Sequence, residues 1–154
     1  MNRRIFLKGT LAGSAMAAAV GAGLVTPSRV LANWPEDAML SESVDEALDN
    51  LFGSSSMEES GDVELTTPDI AENGAVVPIT VETGMDNVES VSIMVEGANS
   101  PVAGHYDLAS NAHPMISTRI KMGETADVLG VVRANGTTYV ARREVKVTVG
   151  GCGG

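Results

Sequence analysis

Apolar residues first recur at helical spacing, in one short segment before residue 60. Four residues occupy the positions i, i+3, i+4 and i+7 that share one helix face: Val44, Ala47, Leu48 and Leu51. Ser43 and Glu46 have the spacing of a capping box, and Gly53 stands where such a helix would end. The pattern predicts a short helix, whose apolar face packs either on the rest of the chain or on a partner subunit. The polar, serine-rich stretch that follows it predicts a linker.

From residue 63 the spacing changes to two, which is typical of strands with one buried face. Seven segments bounded by turn residues are predicted to be strands: Val63–Thr66, Val76–Glu82, Ser90–Val95, His105–Leu108, Ile116–Met122, Val128–Ala134 and Thr138–Val149. Short strands at this regular spacing indicate an all-β fold, an antiparallel sandwich of the immunoglobulin-like type. The pair Asn135-Gly136 between two β-branched runs is the strongest hairpin signal, and Arg142 with Arg143 is predicted to lie at a bulge or an exposed edge.

The amino terminus has the features of an export signal. Arg3 and Arg4 are followed by Ile5-Phe6-Leu7-Lys8 and by a Gly/Ala-rich apolar run, an order that resembles the twin-arginine signal of bacterial export. The run is shorter than the roughly 20 strongly apolar residues of a membrane-spanning helix. We therefore expect cleavage after Ala32 and a mature protein in the periplasm, with no membrane anchor.

Loss of residues 1–32 would make the chain more acidic. Residues 33–154 contain six basic and 20 acidic side chains, a formal charge of −14. Such a body repels nucleic acid and anionic membrane surfaces, and it favours encounter with basic proteins. The predicted organisation is a signal peptide over 1–32, a helical lead-in and linker over 33–60, a sandwich over 61–149 and a terminal arm over 150–154.

The sequence contains few groups for catalysis or metal binding within the sandwich. His105 and His113 are eight residues apart with no third ligand at metal spacing, and we interpret both as solvated loop residues near turns. A copper site from Cys152 and the methionines is disfavoured, because a copper-ligating cysteine needs a histidine and a methionine close behind it. We expect no metal, no cofactor and no catalytic residue of the chain's own.

Cys152 is the only cysteine, and it lies in the terminal sequence Gly150-Gly151-Cys152-Gly153-Gly154. A lone cysteine in an exported protein indicates intermolecular pairing or a free reactive thiol. Four flanking glycines give an arm with no preferred conformation and little width, which could enter a narrow channel in another protein. The pattern therefore predicts covalent attachment at Cys152, with activation supplied by the partner.

The twin-arginine motif, the acidic sandwich and the GGCGG terminus together resemble the SoxY family of sulfur carriers in periplasmic thiosulfate oxidation. The resemblance implies that Cys152 carries a cysteine S-thiosulfonate. It also implies a heterodimer with a SoxZ subunit, a haem-containing enzyme that couples thiosulfate to the cysteine, and a hydrolase that releases sulfate. In some organisms a molybdenum enzyme then oxidises the remaining sulfane sulfur.

Two other classes of function fit parts of the sequence. A ubiquitin-like sulfur carrier would use the carboxylate of Gly154 as a thiocarboxylate, but this chemistry needs ATP and a fold with a central helix. A structural β-sandwich could dimerise through a Cys152 disulfide, although a dimer link needs no flanking glycines.

Overall fold

The computed structural model describes residues 35–148. They form two short helices followed along the chain by a two-sheet sandwich. The helices are α1 (Glu36–Met39) and α2 (Val44–Phe52). The strands, in chain order, are β1 (Glu58–Glu59), β2 (Val63–Thr66), β3 (Ile70–Ala71), β4 (Val77–Thr83), β5 (Val88–Val95), β6 (Val102–Asp107), β7 (Met115–Ile120), β8 (Ala126–Ala134) and β9 (Thr137–Val147).

The larger sheet has the order β1-β9-β8-β5-β6, with β3 also paired to β9, and the smaller sheet has the order β2-β4-β7. The long pairings are antiparallel, whereas β1 and β3 each pair with β9 in parallel over two residues. The predicted immunoglobulin-like sandwich is confirmed. All seven predicted strands are present, and β2 has the predicted bounds. Neither helix within residues 35–148 is long and apolar enough to cross a bilayer.

The central strands β5 and β8 are buried on both of their faces. One face of the larger sheet packs on the smaller sheet, where Ile93 and Val132 meet Ile79 and Val81 in one apolar cluster. On the other face, Leu48 of α2 packs in a second cluster with Leu129 and other sheet residues. The apolar face of α2 therefore covers this chain's own sheet, which answers the question that the sequence left open.

The ends of α2 follow from local chemistry. The Ser43 hydroxyl accepts a hydrogen bond from the Glu46 N–H at 3.2 Å, as predicted for the helix start. The Glu46 carboxylate accepts from the N–H of Glu42 at 3.0 Å, one residue before the position of an ordinary capping box. Gly53 ends the helix in the left-handed region with φ of 73°, where a side chain would be strained. These contacts set where α2 begins and ends.

One prediction is corrected in detail, and one that left a bulge or an exposed edge open is narrowed to the exposed edge. The linker after α2 is not wholly irregular, because Glu58–Glu59 pairs with Tyr139 and Val140 as β1. Arg142 and Arg143 do not lie at a bulge, because β8 and β9 pair without a shift of register. They are exposed on the side of β9 where the described strands leave a gap, between the residues paired with β1 and those paired with β3.

Candidate functional site

The predicted site lies beyond the last described residue. Cys152, Gly150, Gly151, Gly153 and Gly154 all lie outside the described residues, as do Arg3 and Arg4 of the signal. The structure describes the chain up to Thr148, and therefore shows which elements hold the segment that leads into the terminal pentapeptide.

The strand β9 leads the chain to Thr148. A tight turn starts the strand, with Asn135 at φ of 52° and Gly136 at φ of 75°, the two positive values that a type I′ hairpin needs. The amide of Gly136 donates to the Glu89 carboxylate at 2.9 Å, which fixes the turn against β5. The predicted hairpin is confirmed, and β9 runs from it to the opposite end of the sandwich.

The last residues of β9 are held from two sides. On one side β3 pairs with Lys146 and Val147, and the Thr148 amide donates to the carbonyl of Ala71 at 3.1 Å. On the other side the amide of Val147 donates to the Thr125 hydroxyl at 3.0 Å. The position from which the terminal segment begins is therefore fixed by the fold up to Thr148.

The two histidines lie in different environments. His113 is in the loop before β7, with a side chain 69% exposed and its Nε2 3.4 Å from a Glu82 carboxylate oxygen, so the interpretation as a solvated loop residue is confirmed. His105 lies inside β6 with a side chain only 10% exposed, so that interpretation is wrong for His105. The predicted strand His105–Leu108 already includes this residue, but its burial was missed because Ala103 and Gly104 before it weaken the strand pattern.

His105 is part of a network between the sheet and α2. Its Nδ1 lies 2.8 Å from the Ser92 hydroxyl, and its Nε2 lies 3.3 Å from an Asp107 carboxylate oxygen. The ring of Phe52, at the end of α2, is 6.1 Å from the His105 ring between centroids. The Arg133 guanidinium stands 5.3 Å over the centroid of the Phe52 ring, a cation–π contact.

The Ser92, His105 and Asp107 side chains include the residue types of a serine hydrolase, but their geometry does not support that chemistry. A nucleophilic serine must be open to its substrate, whereas Ser92 is fully buried. The exposed member is Asp107, whose side chain is 84% exposed. The arrangement satisfies the buried Ser92 hydroxyl and joins strands β5 and β6, so we assign it a structural role.

Two open cavities lie at opposite ends of the sandwich. One, of about 380 Å³, is lined by residues 95–99, by 121–124 and by Ala126, at the end where β9 terminates. The other, of about 510 Å³, is lined by residues 85–89, by 108–110, by Ala112 and by Pro114 near the hairpin end. Within residues 35–148 no cluster of three or more His, Cys, Asp or Glu side chains could hold a metal ion.

The comparisons with known proteins identify the family. The family model described as "Sulfur oxidation protein SoxY" matches residues 48–152, a range that includes Cys152. This chain belongs to the SoxY family. The solved structure of the sulfur carrier protein SoxY from Chlorobium limicola f thiosulfatophilum is similar to it, with a TM-score of 0.64 and 38% identity over 70% of this chain and 97% of that chain. No curated protein matches this chain.

A second resemblance concerns the fold alone. A superoxide reductase (neelaredoxin) from Ignicoccus hospitalis has a TM-score of 0.50 and 14% identity, over 55% of this chain and 78% of that chain. At such identity the likeness shows a shared sandwich and nothing about chemistry. The SoxY match is the one that bears on function.

Proposed function

We propose that this protein is a periplasmic carrier that holds thiosulfate-derived sulfur covalently on Cys152 and presents it to the enzymes of the Sox pathway. The observation that carries the proposal is the SoxY family match, which extends to residue 152 and so includes the chain's only cysteine. The carrier itself is not catalytic. The fully buried Ser92 supports this view, because it leaves the one serine–histidine pair described above without an accessible nucleophile.

The proposed chemistry at Cys152 has two steps. In the first, a bond forms between the cysteine sulfur and the sulfane sulfur of thiosulfate. The thiol proton is released, and two electrons pass to the haem-containing partner. In the second, a hydrolase directs water to the sulfonate sulfur, so that the bond between the two sulfurs of the cargo breaks. Sulfate leaves, and a persulfide stays on Cys152.

The proposed assembly is a heterodimer with a SoxZ subunit, exported through the twin-arginine route that Arg3 and Arg4 suggest. This route transports folded proteins, so a subunit without its own signal could cross with the carrier. Where a molybdenum sulfane dehydrogenase is present, it would oxidise the persulfide further. No cofactor resides in the carrier, because the bound sulfur is cargo.

The test is a mass measurement on the purified mature protein. We expect incubation with thiosulfate, the SoxZ subunit and the haem-containing enzyme to add one S₂O₃ unit to the intact chain. The Cys152→Ser variant should gain nothing, because a hydroxyl is a much weaker sulfur nucleophile than a thiolate. Persistence of the adduct in Cys152→Ser would contradict the proposal.

The same measurement separates the two alternative functions. A thiocarboxylate carrier would exchange one oxygen of the Gly154 carboxylate for sulfur, and this change would survive in Cys152→Ser. A structural dimer would give only a doubled mass that reductant returns to the monomer. Neither result is expected from a thiosulfate carrier acting with its enzymes.

A further inference from the structure

Two Asn-Gly pairs lie in turns of the described chain, Asn73-Gly74 after β3 and Asn135-Gly136 between β8 and β9. Such pairs can lose the side-chain amide spontaneously, when the backbone nitrogen of the glycine attacks Cγ of the asparagine. Glycine favours this attack because it has no side chain to hinder it. The hydrogen bonds in each turn decide which of the two pairs is free to react.

The reacting groups of Asn135 are tied to the turn between β4 and β5. The Nδ2 of Asn135 donates to the carbonyl of Asp86 at 3.2 Å, and its Oδ1 accepts from Nδ2 of Asn87 at 3.0 Å. The nitrogen of Gly136, which would be the attacking atom, donates to the Glu89 carboxylate at 2.9 Å. Ring closure at Asn135 must break contacts that fix the hairpin, and the cost of those hydrogen bonds disfavours it.

The corresponding groups of Asn73 make no such contacts within residues 35–148. Asn73 is exposed, and its Nδ2 has no hydrogen-bond acceptor in that range. The N–H of Gly74 likewise donates to no acceptor in the described part of the chain, although Gly74 is buried. Attack on Cγ of Asn73 therefore breaks no hydrogen bond of the attacking nitrogen or of the leaving amide there.

One contact of Asn73 favours the reaction. Its Oδ1 accepts from the Ala75 N–H at 2.9 Å, in a hydrogen bond that spans the Gly74 peptide. This bond keeps the side-chain carbonyl on the side of the Gly74 nitrogen. Negative charge that develops on Oδ1 during the attack also meets a donor that is already in place. The turn therefore orients the groups that react.

The turn at Asn73 is connected to the last residues of β9. The carbonyl of Gly74 accepts from the Met122 N–H at 2.7 Å. The loop that follows Met122 holds the Val147 amide through the Thr125 hydroxyl at 3.0 Å. A change in the backbone at Asn73 therefore acts, through the Gly74 carbonyl, on the loop that holds the end of β9.

We propose that Asn73 is a site of spontaneous deamidation in the folded protein, and that the fold protects Asn135. A bond forms between the Gly74 nitrogen and Cγ of Asn73, the bond from Cγ to Nδ2 breaks, and the proton of the Gly74 nitrogen leaves with the amide as ammonia. Water then opens the resulting succinimide at either carbonyl, which gives aspartate or isoaspartate. No oxidant or reductant takes part, and each product carries one more negative charge.

The test compares the two sites in one preparation of the mature protein, kept folded at mildly alkaline pH. A protease that cuts after glutamate releases Asn73–Glu82 and Thr125–Glu144, so that peptide masses report each site separately. We expect the first peptide to exchange one NH for one O about tenfold faster than the second. In the urea-denatured chain the protecting hydrogen bonds are lost, and both peptides should react at similar rates.

Two variants test the cause of the difference. Asn73→Gln should keep its amide, because attack by the next backbone nitrogen would need a larger ring. Asn87→Gly combined with Glu89→Ala removes two of the contacts that protect Asn135, so the rate at Asn135 should rise toward its value in the denatured chain. Both of these substituted residues are exposed, and glycine accepts the φ of 55° at position 87.

The melting temperature gives a second measurement. Isoaspartate adds a carbon to the backbone, so the Gly74 carbonyl should shift relative to the Met122 N–H and the aged protein should melt at a lower temperature. Asn73→Asp adds the charge without lengthening the backbone, and it should melt at the temperature of the unmodified protein.

Three results would overturn the proposal. Equal rates at the two sites of the folded protein, or a faster rate at Asn135, would contradict it. A folded chain that keeps both amides while the denatured chain loses both would mean that the fold protects Asn73 as well. If folded Asn87→Gly/Glu89→Ala protein keeps the Asn135 amide, these hydrogen bonds are not what protects it. None of the measurements involves Cys152, so the carrier function is tested separately.

Discussion

Glycine is expected for different physical reasons at Gly130 in the sandwich and at Gly151 in the terminal pentapeptide. A Cβ on Gly130 would lie 3.0 Å from a methyl of Val81 and 3.4 Å from a methyl of Leu65, in the core between the sheets. Glycine is needed there because the space is full. In the pentapeptide, glycine is expected because a partner's channel must admit the chain. Packing therefore requires the glycine in the sandwich, whereas the proposed carrier function is the reason to expect glycine in the pentapeptide.

The largest effect on this comparison is expected in the pentapeptide. Gly151→Val combined with Gly153→Val should reduce transfer to Cys152 by about a hundredfold, because branched side chains would misplace the thiol in the enzyme's pocket. The melting temperature should stay at that of the unmodified protein. Transfer kinetics and differential scanning calorimetry measure the two quantities, and full transfer in this variant would remove the argument that the arm must be narrow.

Substitutions in the sandwich should instead lower the stability and leave transfer to Cys152 unchanged. The largest loss of stability is expected where α2 meets the sheet. Leu48→Ala removes a fully buried side chain and should cost about 2–5 kcal/mol in free energy of unfolding. Leu51, on the same helix face but only partly buried, is the matched control, and Leu51→Ala should cost less. Denaturant titration measures both, at temperatures where each variant is folded. Equal costs would mean that α2 does not pack as described.

A smaller effect is expected at Gly130. Gly130→Val should lower the free energy of unfolding by about 1–3 kcal/mol, because the added carbons crowd Val81 and Leu65 in a filled core. Gly84→Val is the control, since a Cβ there meets nothing within 4 Å. Folded Gly130→Val protein should still accept sulfur at the normal rate. A loss of transfer without a loss of stability would contradict the view that Gly130 acts only through the stability of the sandwich.

Much of the fold could be predicted because it follows from local pattern. The alternation in Val63–Thr66 gave the bounds of β2, and Ser43 with Gly53 gave the ends of α2. β1 and β3 could not be predicted, since each is two residues long and exists only through pairing with the distant β9. The four residues of α1 are likewise too few for a periodic signal.

The features of the candidate site likewise differ in how far the sequence alone could predict them. Cys152 and its glycines are predicted from the sequence alone, because the prediction depends only on neighbouring residues along the chain, and they lie outside the described residues. The burial of His105 could not be predicted, because it depends on Ser92, thirteen residues away in sequence, and on Phe52 of α2. The pairing of Ile70 with Lys146 was equally hidden, since these residues become neighbours only when β3 pairs with β9.

The mass of one peptide shows whether Cys152 carries sulfur. Trypsin cuts after Lys146 and releases Val147–Gly154, which contains the only cysteine. After reaction with thiosulfate and the haem-containing enzyme, we expect this peptide to carry one added S₂O₃ unit on Cys152, which reductant removes. Finding the peptide unmodified while the sulfur appears elsewhere on the chain, or nowhere with enzyme shown to be active, would contradict it.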